Sequence, residues 1–166
     1  MRRAGIAAFC IMLSGCSETL PAGAAGPVPG PDPRLAPAAS PEAGPESARA
    51  FFASYPELLL GAVAQSCVDP GQALVRPSED EVRCESLPPV EAAAALILEF
   101  DGTVDNLPRF VTSIASRSAD GGYVVTADNY IRVPLQAGGA RIVRLPDPAL
   151  NRVIRDVLER AGGRLL

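Results

Sequence analysis

Apolar residues recur at helical spacing most clearly near the C-terminus. Leu150, Val153, Ile154, Val157, Leu158 and Ala161 fall on one face of a helix. Asp147 supplies a cap, Pro148 a first-turn residue, and Gly162-Gly163 a stop. The opposite face carries Arg152, Asp156 and Arg160 at a spacing that supports an exposed helix through ion pairs. Upstream, residues 110–116 and 123–133 alternate apolar and polar around Asp120-Gly121-Gly122, which predicts a β-hairpin. Gly138-Gly139 then turns the chain into a third strand over 141–145.

The N-terminal half of the patterned region is more ambiguous. Ala48, Phe51, Phe52 and Tyr55 match helical spacing after Pro45, which suits a first turn. Pro56 breaks that run. Ser54 and Glu57 then have the spacing of a capping box for a second helix reaching Ser66, with Leu59, Ala62 and Val63 continuing the stripe. Two short strand-like pieces, 73–76 and 81–85, flank Pro77-Ser78-Glu79-Asp80. The Ala-rich run 90–100, opened by Pro88-Pro89 and closed by Asp101-Gly102, predicts a further helix. The expected fold is a small α+β domain over 46–166: an antiparallel meander of about three strands covered by helices, with an amphipathic C-terminal helix.

Residues 17–45 have a different character. They contain eight Pro, four Gly and seven Ala and no periodic apolar pattern, so nothing offsets the entropy of ordering them. The stretch reads as a disordered tether, spanning roughly 30 Å as coil and up to about 90 Å as polyproline II.

Before the tether, Met1-Arg2-Arg3 gives a positive start and residues 4–13 an apolar run, the pattern of a secretory signal peptide over 1–15. The run is too short to span a bilayer, which needs about 20 apolar residues. It ends in Leu13-Ser14-Gly15-Cys16, which resembles the lipobox of bacterial lipoproteins. The resemblance implies cleavage after Gly15 and acylation of Cys16, palmitate being a typical chain. The protein is then a lipoprotein of the cell envelope, facing the periplasm. Ser17 stands where an Asp favours inner-membrane retention in enteric bacteria, so the outer membrane is favoured. The expected helix-helix-three-strand arrangement resembles, in architecture alone, the small accessory lipoproteins of the outer-membrane assembly machinery.

Composition narrows the chemistry. The chain of 166 residues has no His, and its 15 basic residues are all Arg. Without His there is no imidazole-based nucleophile pair and no imidazole metal site; without Lys there is no Schiff base or P-loop lysine. A net charge of −4 offers no footprint for a phosphate backbone, so no nucleic-acid partner is expected. Of the hydrophobic residues, 27 are Ala, so the core is thinner than the hydrophobic fraction of 48% implies.

The export signal also sorts the four cysteines. Cys10 leaves with the signal peptide and Cys16 carries lipid, which leaves Cys67 and Cys84 to form a disulfide in an oxidising compartment. There is no Cys-x-x-Cys for redox work and no metal-ligand spacing, so neither a metal nor a cofactor is expected. Glu79-Asp80-Glu81 with Glu85, and Asp101 with Asp105, lack the calcium-loop pattern and read as solvated charge. No pair of the 19 acidic residues is singled out for catalysis, and Ser113, Ser116 and Ser118 have no base. Tyr123 and Tyr130 read as sheet-packing residues. The expected function is a non-catalytic interaction or assembly module with an envelope protein partner; the alternative is a small-ligand binder or a carboxylate-dependent hydrolase.

Overall fold

The computed structural model describes residues 41–166, and these form three helices and a sheet of seven antiparallel strands. The chain order is β1 (Ala48–Phe52), α1 (Glu57–Ser66), β2 (Gln72–Ser78), β3 (Glu81–Ser86), α2 (Val90–Glu99), β4 (Arg109–Ala119), β5 (Gly122–Pro134), β6 (Ala140–Val143), α3 (Pro148–Arg160) and β7 (Arg164–Leu165). The strands run β2-β3-β4-β5-β1-β7 across the sheet, and β6 also pairs with β5. The fold is α+β, but the sheet dominates it and is not the expected three-stranded meander. The architectural likeness to a helix-helix-three-strand subunit therefore falls away.

The largest departure from the sequence pattern is β1, expected as a helix. Ala48, Ala50 and Phe52 are buried while Arg49 is exposed, so burial follows the two-residue period of a strand. Both periods fit this segment locally. Phe51-Phe52 suit a pleated surface. Pairing decides it: Ala48 to Phe52 align with Ala127 to Tyr123 of β5, and β7 flanks the other side. Short Ala48 and Ala50 side chains let α3 lie close over β1.

The helix α1 starts where expected but without the capping box. Pro56 is its N-cap and no side chain bonds there. Its buried pair is Leu59 and Leu60, with Val63 and Ala64 packed against the core, while Ala62 faces solvent. The two short strand-like pieces are β2 and β3, and the Ala-rich run is α2. Asp101, at φ 54°, and Gly102 end α2; a Cβ on Gly102 would stand 3.1 Å from Ile97 Cα and from Val133 Cγ1. The predicted hairpin is β4–β5, turning through Asp120 and Gly121 with Gly121 at φ 75°. The Asp147 side chain caps α3 by accepting from the N–H groups of Ala149 and Leu150 at 3.1 and 2.9 Å.

The core lies on one face of the sheet. Val82, Ile114, Val125, Ala127, Ala48, Ala50 and Phe52 point from the strands towards Leu59 and Leu60 of α1 and Leu158 of α3. Burying a Leu or Phe side chain is worth about 1.5–3 kcal/mol, so these positions carry much of the fold. Helix α3 buries Leu158 completely and half-buries Ile154, but it leaves Leu150, Val153 and Val157 exposed at 41, 59 and 45%. Part of its apolar stripe therefore faces outwards.

Candidate functional site

Each face of the sheet presents a distinct feature at the middle of β5. The strand is shared: β1 pairs with it over Tyr123 to Ala127, and β6 over Ile131 to Pro134. Between them Asp128, Asn129 and Tyr130 have no partner strand on that edge among the described residues. Their side chains alternate, so Asp128 and Tyr130 face one side and Asn129 the other.

On the side away from α1 and α3 lies a buried ionic face. The two-residue period of β3 places Glu81, Arg83 and Glu85 together, opposite Val82 and Cys84. The ladder sets Arg83 beside Ser113 of β4 and Asp128 of β5. Three ion pairs form: Arg83 Nε to Glu81 Oε1 at 2.8 Å, Arg132 to Glu85 at 3.1 Å, and Arg144 to Asp128 at 2.7 Å. Ser113 Oγ donates to Glu81 Oε1 at 2.9 Å. The acidic run was expected to be solvated; instead Glu81 and Glu85 are buried, because only Glu79 and Asp80 fall in the turn. Each of the three buried carboxylates is paired with a guanidinium, and Arg49 and Arg117 line the polar cleft on the same face.

Tyr130 sits among these pairs, only 4% exposed, with the Arg144 guanidinium 5.6 Å from its ring centre. Burial raises its phenol above the ordinary tyrosine range; Arg83 pulls the other way, and Glu81, Glu85 and Asp128 add to the rise. The unfolded chain then gives up this proton first, so the contribution is intact below about pH 10 and is lost as pH climbs through the folded value. Tyr130→Phe is expected to make the alkaline loss of stability shallower, measured by denaturant unfolding at about pH 8 and about pH 11. An equally steep loss in the variant would contradict this role for Tyr130.

The same face clasps the start of the described chain. Gly44 N–H donates to Asp128 Oδ2 at 3.3 Å, and Arg144 Nη2 donates to Glu42 O at 2.6 Å. Asn151 Nδ2 of α3 donates to Glu46 O at 2.9 Å. Residues 41–45, read from sequence as the end of the tether, are thus bound to the domain. Asp128→Ala removes the acceptor that both Gly44 and Arg144 use. A cost of about 2 kcal/mol is expected, together with at least roughly tenfold faster hydrogen exchange at the Gly44 amide. Unchanged exchange there would contradict the clasp.

On the side of α3 lies an apolar groove of about 430 Å³. The face of β4 and β5 bearing Phe110, Thr112, Asn129 and Ile131 is its floor; Leu150 and Ile154 of α3 and Leu145-Pro146 are its walls. It exists because α3 covers the β1 end of β5 and does not reach this end. Glu46 and Asp147 line the groove as well. A wider polar cleft of about 930 Å³ involves residues 41–45 together with Asp80, Ser113, Thr126 and Asp128.

The other sequence candidates divide cleanly. Cys67, just after α1, and Cys84 on β3 are joined as a disulfide with a Cα–Cα distance of 5.6 Å. Cys16 lies outside the described residues. Among the described residues no three His, Cys, Asp or Glu side chains group to hold a metal. Asp101 and Asp105 are exposed, and Tyr123 packs edge-on against Tyr55 with centroids 5.4 Å apart. Sequence reasoning passed over Arg83, Arg132, Arg144 and Asp128; the alternation Glu81-x-Arg83-x-Glu85 was the available signal. No protein-family model, curated protein or solved structure matches this chain.

Proposed function

We propose that the protein is a non-catalytic cell-envelope lipoprotein whose folded domain binds a protein partner. In this reading acyl chains on Cys16 hold it to the membrane, the outer membrane favoured, and residues 17–40 carry the domain into the periplasm. The lipobox Leu13-Ser14-Gly15-Cys16 supports the anchor. The observation that carries the interaction reading is the run of exposed apolar side chains on and before α3. Leu145, Leu150, Val153 and Val157 remain open to solvent beside the groove. A soluble domain pays for such a patch unless something covers it, and contiguous apolar surface of this kind marks recognition sites.

The alternative, a carboxylate-dependent hydrolase, needs two carboxylates facing one substrate. The buried carboxylates Glu81, Glu85 and Asp128 are each held by an arginine instead.

Lysine-directed crosslinkers have no side chain to attack, because the chain has no Lys. Photo-leucine incorporated in intact cells tests the reading without that requirement. A discrete heavier species is expected in the wild type, and Leu150→Glu together with Val157→Glu is expected to abolish it while the variant keeps its melting temperature. Absence of any adduct in the wild type would sink the interaction reading and favour the ligand-binding alternative.

A further inference from the structure

The groove beside α3 has a chemistry specific enough to describe its occupant. Its walls and much of its floor are apolar, but Asn129 stands on that floor. Thr112 Oγ1 donates to Asn129 Oδ1 at 2.8 Å. The amide oxygen is turned to β4, and the Nδ2 hydrogens remain for an acceptor entering the groove. A neutral amide in apolar surroundings suits a neutral carbonyl oxygen.

Charge at the groove argues against an anionic ligand. Glu46 lines it, Asp147 lines it as the cap of α3 with Oδ1 accepting from the Ala149 and Leu150 N–H groups, and Arg144, the cation in the same lining, is committed to Asp128. A carboxylate or phosphate head would meet like charge, whereas basic residues beside an apolar segment would meet opposite charge. The volume accommodates about one or two large side chains, the size of an interface anchor.

We infer that the groove receives an apolar segment of the partner protein, flanked by basic residues, with one backbone carbonyl accepting from Asn129 Nδ2. This rests on the interaction reading above and adds the site and the chemistry of what fills it.

The test places a benzophenone side chain at one position at a time in the full-length protein, irradiates intact cells, and sequences the adducts. Leu150 and Phe110 sample the groove; Leu58 on α1 and Leu74 on β2, also exposed and apolar, sample other surfaces. Adducts are expected from Leu150 and Phe110, on an apolar segment with Arg or Lys within a few residues. Asn129→Leu should lower the yield at Leu150 roughly fivefold, the worth of one hydrogen bond, with the melting temperature retained. Thr112→Val, which removes the donor to Asn129 Oδ1, should lower it in the same direction. Adducts on an acidic segment or on lipid acyl chains would overturn the inference, as would a yield indifferent to Asn129→Leu. Adducts from Leu58 or Leu74 alone would overturn it and leave the interaction reading standing. Adducts from none of the four positions would remove the interaction reading itself.

Discussion

The domain without its Cys67–Cys84 bond is expected to be about 3 kcal/mol less stable than the bonded form. The bond spans a sequence separation of 17 and joins the end of α1 to β3. In the chain-entropy account, a loop of this length restricts the unfolded ensemble by that amount. The location adds to the effect. Helix α1 touches the sheet mainly through β3 and holds on by Leu59, Leu60, Val63 and Ala64. Val68, Asp69 and Pro70 are exposed, so the Cys67–Cys84 bond is the fixed point at that end of the helix. For a domain of this size the loss corresponds to a fall of roughly 10 °C in melting temperature. Thermal unfolding of Cys67→Ser with Cys84→Ser, and of the wild type with reductant, should give matching drops. Hydrogen exchange should rise first in α1. The denatured wild type should show no reactive thiol before reduction. Equal melting temperatures with and without the bond would contradict this account of how α1 is held.

The elements legible in the sequence were those whose local signals agreed with one another. Helix α3 had a cap, a first-turn proline, an apolar stripe and a glycine stop, and it spans Pro148–Arg160. The β4–β5 hairpin had alternation on both sides of Asp120-Gly121 and is the longest pairing in the sheet. Helix α2 followed from alanine propensity and its proline and glycine boundaries. Segment 48–52 misled because Ala48, Phe51, Phe52 and Tyr55 fit a helix while Ala48, Ala50 and Phe52 fit a strand. Only the β5 and β7 neighbours choose between them, and both lie far along the chain.

The ionic face was hidden for a related reason. Glu81 and Glu85 look like loop charges until Arg83, Arg132 and the strand period are considered together, and the partner Arg132 lies 47 residues from Glu85. Net composition gives no hint that three carboxylates are buried. Burial of this kind holds only because each is paired, so loss of one partner costs more than the pair contributes. The groove was invisible for a different reason. Its residues come from the segment before β1, from β4, β5 and the β6–α3 connection, and from α3 itself. The exposed part of the α3 stripe is what links it back to the sequence: Leu150, Val153 and Val157 belong to a periodic pattern that the sheet does not fully cover.

The central claim is that Cys16 carries lipid and anchors an interaction domain to the envelope. Acyl chains contribute about 0.8 kcal/mol per buried CH₂, so several chains on one residue outweigh any surface contact this acidic domain makes with a membrane. Among the described residues no helix is long and apolar enough to cross a bilayer. The direct measurement is fractionation of cells producing the wild type or Cys16→Ala, with labelled palmitate in the medium. The wild type should sediment with membranes and carry label, and Cys16→Ala should appear in the soluble fraction without label. A Cys16→Ala protein that still sediments with membranes, or a wild type that takes up no palmitate, would contradict the account.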